Sequence, residues 1–160
     1  MRRTFAVLVE NRPGVLSKVA GLFARRGFNI ESLVVSETKD NTVSRMTIVA
    51  DGDERILEQI GKQLNKQVDV IKVNDITDEE TVERQLCMIR VRTEDYDSRQ
   101  EALQISEAFR CHVVNIDRKS LIIEATGDES KIQAVIRALK PFGITELVST
   151  GKVAMLRGAQ

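Results

Sequence analysis

Residues 11–14, Asn11-Arg12-Pro13-Gly14, are of types and in an order that could grip a small anion. Pro13 stiffens the chain as it leaves an apolar strand, and Gly14 removes the side chain where a helix begins. The first amides of a helix have no acceptor inside it and carry partial positive charge, so they favour a carboxylate or phosphate. Without a Cβ at Gly14 a ligand can come close to those amides, and Asn11 sets one acceptor and two donors at the same mouth. A carboxylate on the amides and an ammonium on the Asn11 oxygen together would recognise a free α-amino acid. The same residues also suit a strand-to-helix turn that uses Asn, Pro and Gly for conformation alone.

No comparable grouping exists for covalent or acid–base chemistry. The single histidine, His112, falls in "HVVNID" without a nucleophile beside it, which marks it as a structural or surface residue. Cys87 and Cys111 are the only cysteines; their isolation matches neither a disulfide framework nor a zinc motif, and both are expected as buried thiols. Asp53 in "DGDE" and Asp128 in "GDES" read as helix caps rather than metal ligands. No Gly-Lys-Ser/Thr follows "NRPG", so a phosphate loop is absent. The expectation is a non-enzyme with no catalytic residue, no metal ligand and no cofactor of its own.

Composition excludes further classes. Lys+Arg and Asp+Glu are 24 each, so the basic excess that nucleic-acid binding usually needs is missing. Aromatics are 4% and Trp is absent, which removes the stacking residues of an RNA-binding sheet. No run approaches the roughly 20 apolar residues of a membrane span. "MRRTFAVLVEN" reads as a strand rather than a signal peptide, and a cytoplasmic location is expected.

The elements that must position the turn occur twice. "TFAVLVE" is a strand; Val15, Leu16, Val19, Ala20, Leu22 and Phe23 then form one helical stripe that Gly27 is placed to end. "NIESLVVSE" and "VSRMTIVAD" are strands joined by a polar turn, "DERILEQIGKQLNK" is a helix and "VDVIKVND" a strand. From "RQLCMIRVR" to "ITELVST" the β-α-β-β-α-β order repeats, and "ADGDE" at Ala50 returns as "ATGDE" at Ala125. The reading is an α+β chain of two ferredoxin-like βαββαβ sandwiches in tandem, divided near "DITDEETVE" into residues 1–76 and 77–160. Strand one is apolar on both sides, so the sheet face away from its helices is expected to be covered, by a partner chain or by packing between the two halves. The second half's equivalent turn, "TEDYDS", is acidic and lacks Pro and Gly; only the first half is built for an anion.

"VENRPGVLSKVAGLFARRGFNIESL", "SRMTIV" and "TGKVAMLRG" closely resemble the small, regulatory subunit of acetolactate synthase (acetohydroxyacid synthase) over nearly the whole chain. The resemblance implies that residues 1–76 form an ACT domain, an amino-acid-sensing module that dimerises, and residues 77–160 the C-terminal domain of that family. It implies a non-catalytic role in branched-chain amino acid biosynthesis: activating a large catalytic subunit, which carries thiamine diphosphate, Mg²⁺ and FAD, and conferring feedback inhibition by valine or another branched-chain amino acid. It further implies a homodimer through the ACT domains, with Asn11, Gly14, Val15 and Leu16 of one chain facing Asn29 and Ile30 of the other across the effector. A free-standing ACT-type sensor acting on a different enzyme or regulator is the alternative.

Overall fold

A continuous apolar run, Phe5 to Val9, makes strand β1 (Arg2–Glu10), and the change to helical spacing after Gly14 makes α1 (Val15–Arg25), in a computed structural model that describes residues 1–158. Gly27, with φ at 72°, ends that helix: its N–H donates to the Ala24 carbonyl and the Phe28 N–H to the Phe23 carbonyl, each at 3.1 Å. Strands β2 (Asn29–Glu37) and β3 (Val43–Asp51) form the expected hairpin. Helix α2 (Glu54–Asn65) and strand β4 (Val70–Asp75) complete the first unit's repeat.

The sheet is antiparallel with order β2-β3-β1-β4, so β2 and β4 are its edges. Phe5, Val7 and Val9 point to one face with Met46, Ile48 and Ala50, and they pack under Val15, Val19, Leu22 and Phe23 of α1 and Leu57, Ile60 and Leu64 of α2. At roughly 1.5–3 kcal/mol for each large apolar side chain buried, that layer is the main force holding α1 to the sheet.

The second half repeats the plan. Strand β5 (Thr81–Arg92), helix α3 (Tyr96–Ala108), strands β6 (His112–Ile116) and β7 (Ser120–Gly127), helix α4 (Glu129–Leu139) and strand β8 (Ile144–Ser149) give sheet order β6-β7-β5-β8. That is the first order with each strand replaced by its counterpart. Its core joins Cys87, Ile89 and Val91 to Leu121 and Ile123 and to the helix residues Ala102, Val135 and Leu139. The expected α+β pair of βαββαβ units is therefore the observed one.

One short strand lies outside that reading. β9 (Val153–Leu156) pairs with β5, and the Arg157 N–H donates to the Glu80 carbonyl at 2.8 Å. Ala154 is buried with Ala6 and Ile76 on the face of the first sheet opposite its helices. Lys152 donates from its N–H to the Ser32 hydroxyl and from Nζ to the Thr4 hydroxyl, while Arg45 donates to the Ala154 carbonyl at 2.6 Å. The compact units are thus Met1–Val82 together with the segment from Lys152 onward, and Glu83–Gly151. This differs from a simple cut after residue 76, because a small side chain at 154 lets the terminal strand lie flat on Ala6. Part of the apolar sheet face expected to need a partner is covered by this chain's own end.

Candidate functional site

Helix α1 starts without a cap. Gly14 holds φ at 87°, a left-handed value that an L side chain resists, and no side-chain hydrogen bond caps the helix. A Cβ placed on Gly14 would have nothing within 4 Å, so the space before the helix is open. The Val15 N–H reaches back to the Arg12 carbonyl at 3.4 Å, and the first regular helical bond runs from the Lys18 N–H to the Gly14 carbonyl. The amides of Leu16 and Ser17 between them have no acceptor among the described residues.

The other three helices supply their own anion. Asp53 accepts from the Arg55 N–H at 2.9 Å, Asp95 from the Ser98 N–H at 2.7 Å and Asp128 from the Lys131 N–H at 2.8 Å. Asp53 and Asp128 are the caps expected from the sequence. At Asp95 the Ser98 hydroxyl closes a full capping box, and the Ser98 amide and hydroxyl hold the Asp95 carboxyl below its usual range. The acidic second turn thus fills its own helix start, whereas α1 has no acidic residue in its first turn.

Two contacts that the sequence did not reveal hold the α1 turn in place. Asn11 donates through Nδ2 to the Asn41 carbonyl at 2.9 Å and to Glu37 at 3.3 Å, and its N–H donates to the Thr42 carbonyl. Both partners of Nδ2 are pure acceptors, which fixes the amide orientation, and Oδ1 has no hydrogen-bond partner among the described residues. Asp69, just before β4, accepts from Arg12 and from Lys18, each at 3.0 Å, and its carbonyl accepts the Glu10 N–H at 2.8 Å. Arg12 and Lys18 are largely exposed, so each pair contributes about 0–1 kcal/mol, and their effect is chiefly to position the turn. The acid lies more than 50 residues beyond the turn in sequence, so no local pattern could have linked them.

Asn11, Gly14, Val15 and Leu16 therefore come together. The Val15 side chain belongs to the core, leaving that residue only its backbone for the site, while Leu16 is 45% exposed. Asn29 and Ile30 do not join them within one protomer. Asn29 pairs with Asp51, which pairs with Arg2, whereas the turn follows Glu10 at the opposite end of β1. Eight strand residues at about 3.4 Å each put the two ends roughly 27 Å apart. Asn29 is exposed and begins edge strand β2, while Ile30 packs partly against the core.

Nothing nearby suggests a reaction. His112 is exposed, and burial pushes both cysteine thiols up, away from the reactive thiolate. No group of three or more His, Cys, Asp or Glu residues could hold a metal among the described residues, and no helix among them is long and apolar enough to cross a membrane. What the turn offers is two amides without an acceptor among the described residues, open space at Gly14 and a half-exposed Leu16.

Two βαββαβ units in tandem, with an uncapped α-helix start among the described residues in the first alone, make a two-domain α+β protein of the ferredoxin-like class. Residues 5–72 match the family model described as the small subunit-like ACT domain of acetohydroxyacid synthase, and residues 84–158 match that of the small subunit of acetolactate synthase. The chain belongs to the acetolactate synthase small-subunit family, whose members are regulatory subunits. It is 54% identical to the probable acetolactate synthase small subunit of Archaeoglobus fulgidus, covering 99% of this chain and 98% of that one. It is 48% identical to the acetolactate synthase small subunit of Mycobacterium bovis, covering 97% and 92%. The crystal structure of the small subunit from Thermotoga maritima matches with a TM-score of 0.87 at 41% identity, covering 100% of this chain and 99% of that one.

Proposed function

We propose that this chain activates a thiamine-diphosphate-dependent acetolactate synthase large subunit, which carries the catalytic cofactors, and makes it sensitive to inhibition by valine. The observation that carries the reading is the uncapped start of α1: the Leu16 and Ser17 amides have no internal acceptor at the helix where Gly14 removes the Cβ. The carboxylate of valine would sit on those amides, its ammonium on Asn11 Oδ1, and its side chain beside Leu16.

Such a site is completed by a second protomer. β2 is a sheet edge, and a two-fold that sets two β2 strands antiparallel brings Asn29 and Ile30 of one chain toward the Glu37 end of the other. Glu37 holds Asn11, so that end of β2 is also the mouth of the turn. Burying a valine side chain contributes on the order of 1.5–3 kcal/mol, and charge-assisted bonds at its two ends contribute similar amounts. Against ordering costs this gives micromolar to millimolar affinity, suited to sensing a metabolite pool. Inhibition follows only if valine binds one state of the holoenzyme better than the other.

The test is calorimetric titration of the full chain with valine, alone and with its catalytic partner, beside an activity assay of the same mixture. Saturable binding with one site per chain and valine-dependent loss of activity is the expected result. Activation of the large subunit without any heat of valine binding would remove the effector role.

A further inference from the structure

The part of the first sheet's open face that β9 leaves uncovered is a trough of about 380 Å³ with unbalanced charge. Leu8, Ala6 and Ile76 line it, Met155 of β9 stands along it, and Arg45 and Lys72 bring two positive charges; among the described residues no Asp or Glu lines it. Register fixes the arrangement. Lys72 on β4 and Arg45 on β3 are the two cross-strand neighbours of Leu8 on β1, so the cations flank one leucine in a single row. Two strand spacings separate their backbones by about 10 Å.

Neither cation has a carboxylate partner among the described residues. Arg45 is half-buried and donates to the Ala154 carbonyl at 2.6 Å, which holds the guanidinium in place without neutralising it. Lys72 is exposed. The contrast within the same unit is direct, for Arg3 is paired with Asp75, and Arg12 and Lys18 with Asp69. Met155 is 70% exposed, an apolar wall standing in water beside the two charges.

We infer that this trough docks an acidic segment of the catalytic large subunit: a carboxylate over Leu8 bridges Lys72 and Arg45, and flanking apolar side chains cover Ala6, Ile76 and Met155. The inference rests on the regulatory-subunit reading for the existence of that partner and adds the surface that holds it. Charge complementarity selects the occupant. A second copy docked here about a two-fold would bring Arg45 and Lys72 toward their own counterparts, and a free small carboxylate would leave the Met155 wall uncovered.

The experiment compares the full-length chain with Lys72→Glu and Arg45→Gln for binding to the cognate large subunit at low and high salt. Sedimentation and valine calorimetry are run on each isolated chain. Lys72→Glu is expected to weaken large-subunit binding at least tenfold and to flatten its salt dependence, with self-association and valine affinity unchanged. Arg45→Gln is expected to weaken binding several-fold; should it disturb folding through loss of the Ala154 contact, the exposed Lys72 variant carries the test alone. Failure of the unmodified chain to bind the large subunit would overturn the regulatory-subunit reading itself. Binding by that chain with Lys72→Glu binding equally well would overturn only the trough. An altered oligomeric state in Lys72→Glu would make the trough a contact between copies, and acetate protection of the trough without effect on the complex would make it a small-anion site; either result overturns the inference.

Discussion

Gly14 carries two constraints that different substitutions separate. Its left-handed φ of 87° penalises any L side chain, by roughly 1–2 kcal/mol, yet the space where a Cβ would stand is empty. Gly14→Ala therefore pays the backbone strain alone, whereas Gly14→Asp also sets a carboxylate before the free amides of Leu16 and Ser17. We expect Gly14→Asp to abolish valine inhibition while large-subunit activation persists, and Gly14→Ala to keep a weakened response, both read from activity against valine concentration. Asn11→Ala removes the oxygen assigned to the ammonium and the donors that reach Asn41 and Glu37. Valine affinity should fall by at least about 1 kcal/mol, roughly fivefold, by calorimetry; an unchanged Kd would take Asn11 out of the site. At this scale the sequence was readable where chemistry is local: Pro, Gly and an Asn at a strand end announce the turn. It was silent on Asp69, whose partners Arg12 and Lys18 are joined to it only by folding.

Among the described residues, three of the four α-helices cap themselves with aspartate, and the exception is α1, whose start is the candidate site. The Asp53 and Asp128 caps were legible because each Asp directly precedes an apolar stripe; the Asp95 cap was not, because its turn reads only as acidic and the helix begins before its first apolar position. The duplication proved deeper than its letters. α3 ends as α1 does, with the Arg110 N–H on the Glu107 carbonyl and the Cys111 N–H on the Ser106 carbonyl, but Arg110 takes the positive φ that Gly27 takes in the first copy. An arginine there hides this shared helix ending, though not the repeated element order, from sequence inspection. β9 was hidden for a different reason: four residues of mixed burial carry little periodicity, and their partners Ala6 and Ile76 lie far away along the chain. Asp95 gives the element scale a pH test. Hydrogen bonds from Ser98 depress its folded pKa, so its contribution is fully present above the unfolded value of about 3.9 and is lost as pH falls through the lower folded value. Thermal unfolding should show a midpoint that declines below about pH 4, and Asp95→Ala should lower the midpoint at neutral pH while flattening that acid limb. An unaltered acid limb in the variant would show that other carboxylates govern it.

For the whole molecule, the decisive fact is that Gly14 and Asn29 stand at opposite ends of one sheet. Sequence spacing could not reveal this, since only 15 positions separate the two in the chain and α1 fills the interval. If the effector site joins the turn of one protomer to the β2 start of another, two defective chains can repair each other. Gly14→Asp and Asn29→Leu should each lose valine binding as homodimers. In a heterodimer one site combines both defects, and the other pairs an unaltered turn with an unaltered strand. Random equal mixing makes half of the dimers mixed, each with one good site of two, so about one quarter of the normal valine-binding capacity should return at normal affinity. Calorimetric stoichiometry of a co-refolded mixture measures this directly. A site contained within one chain predicts no recovery at any mixing ratio, because every chain then carries its own damage.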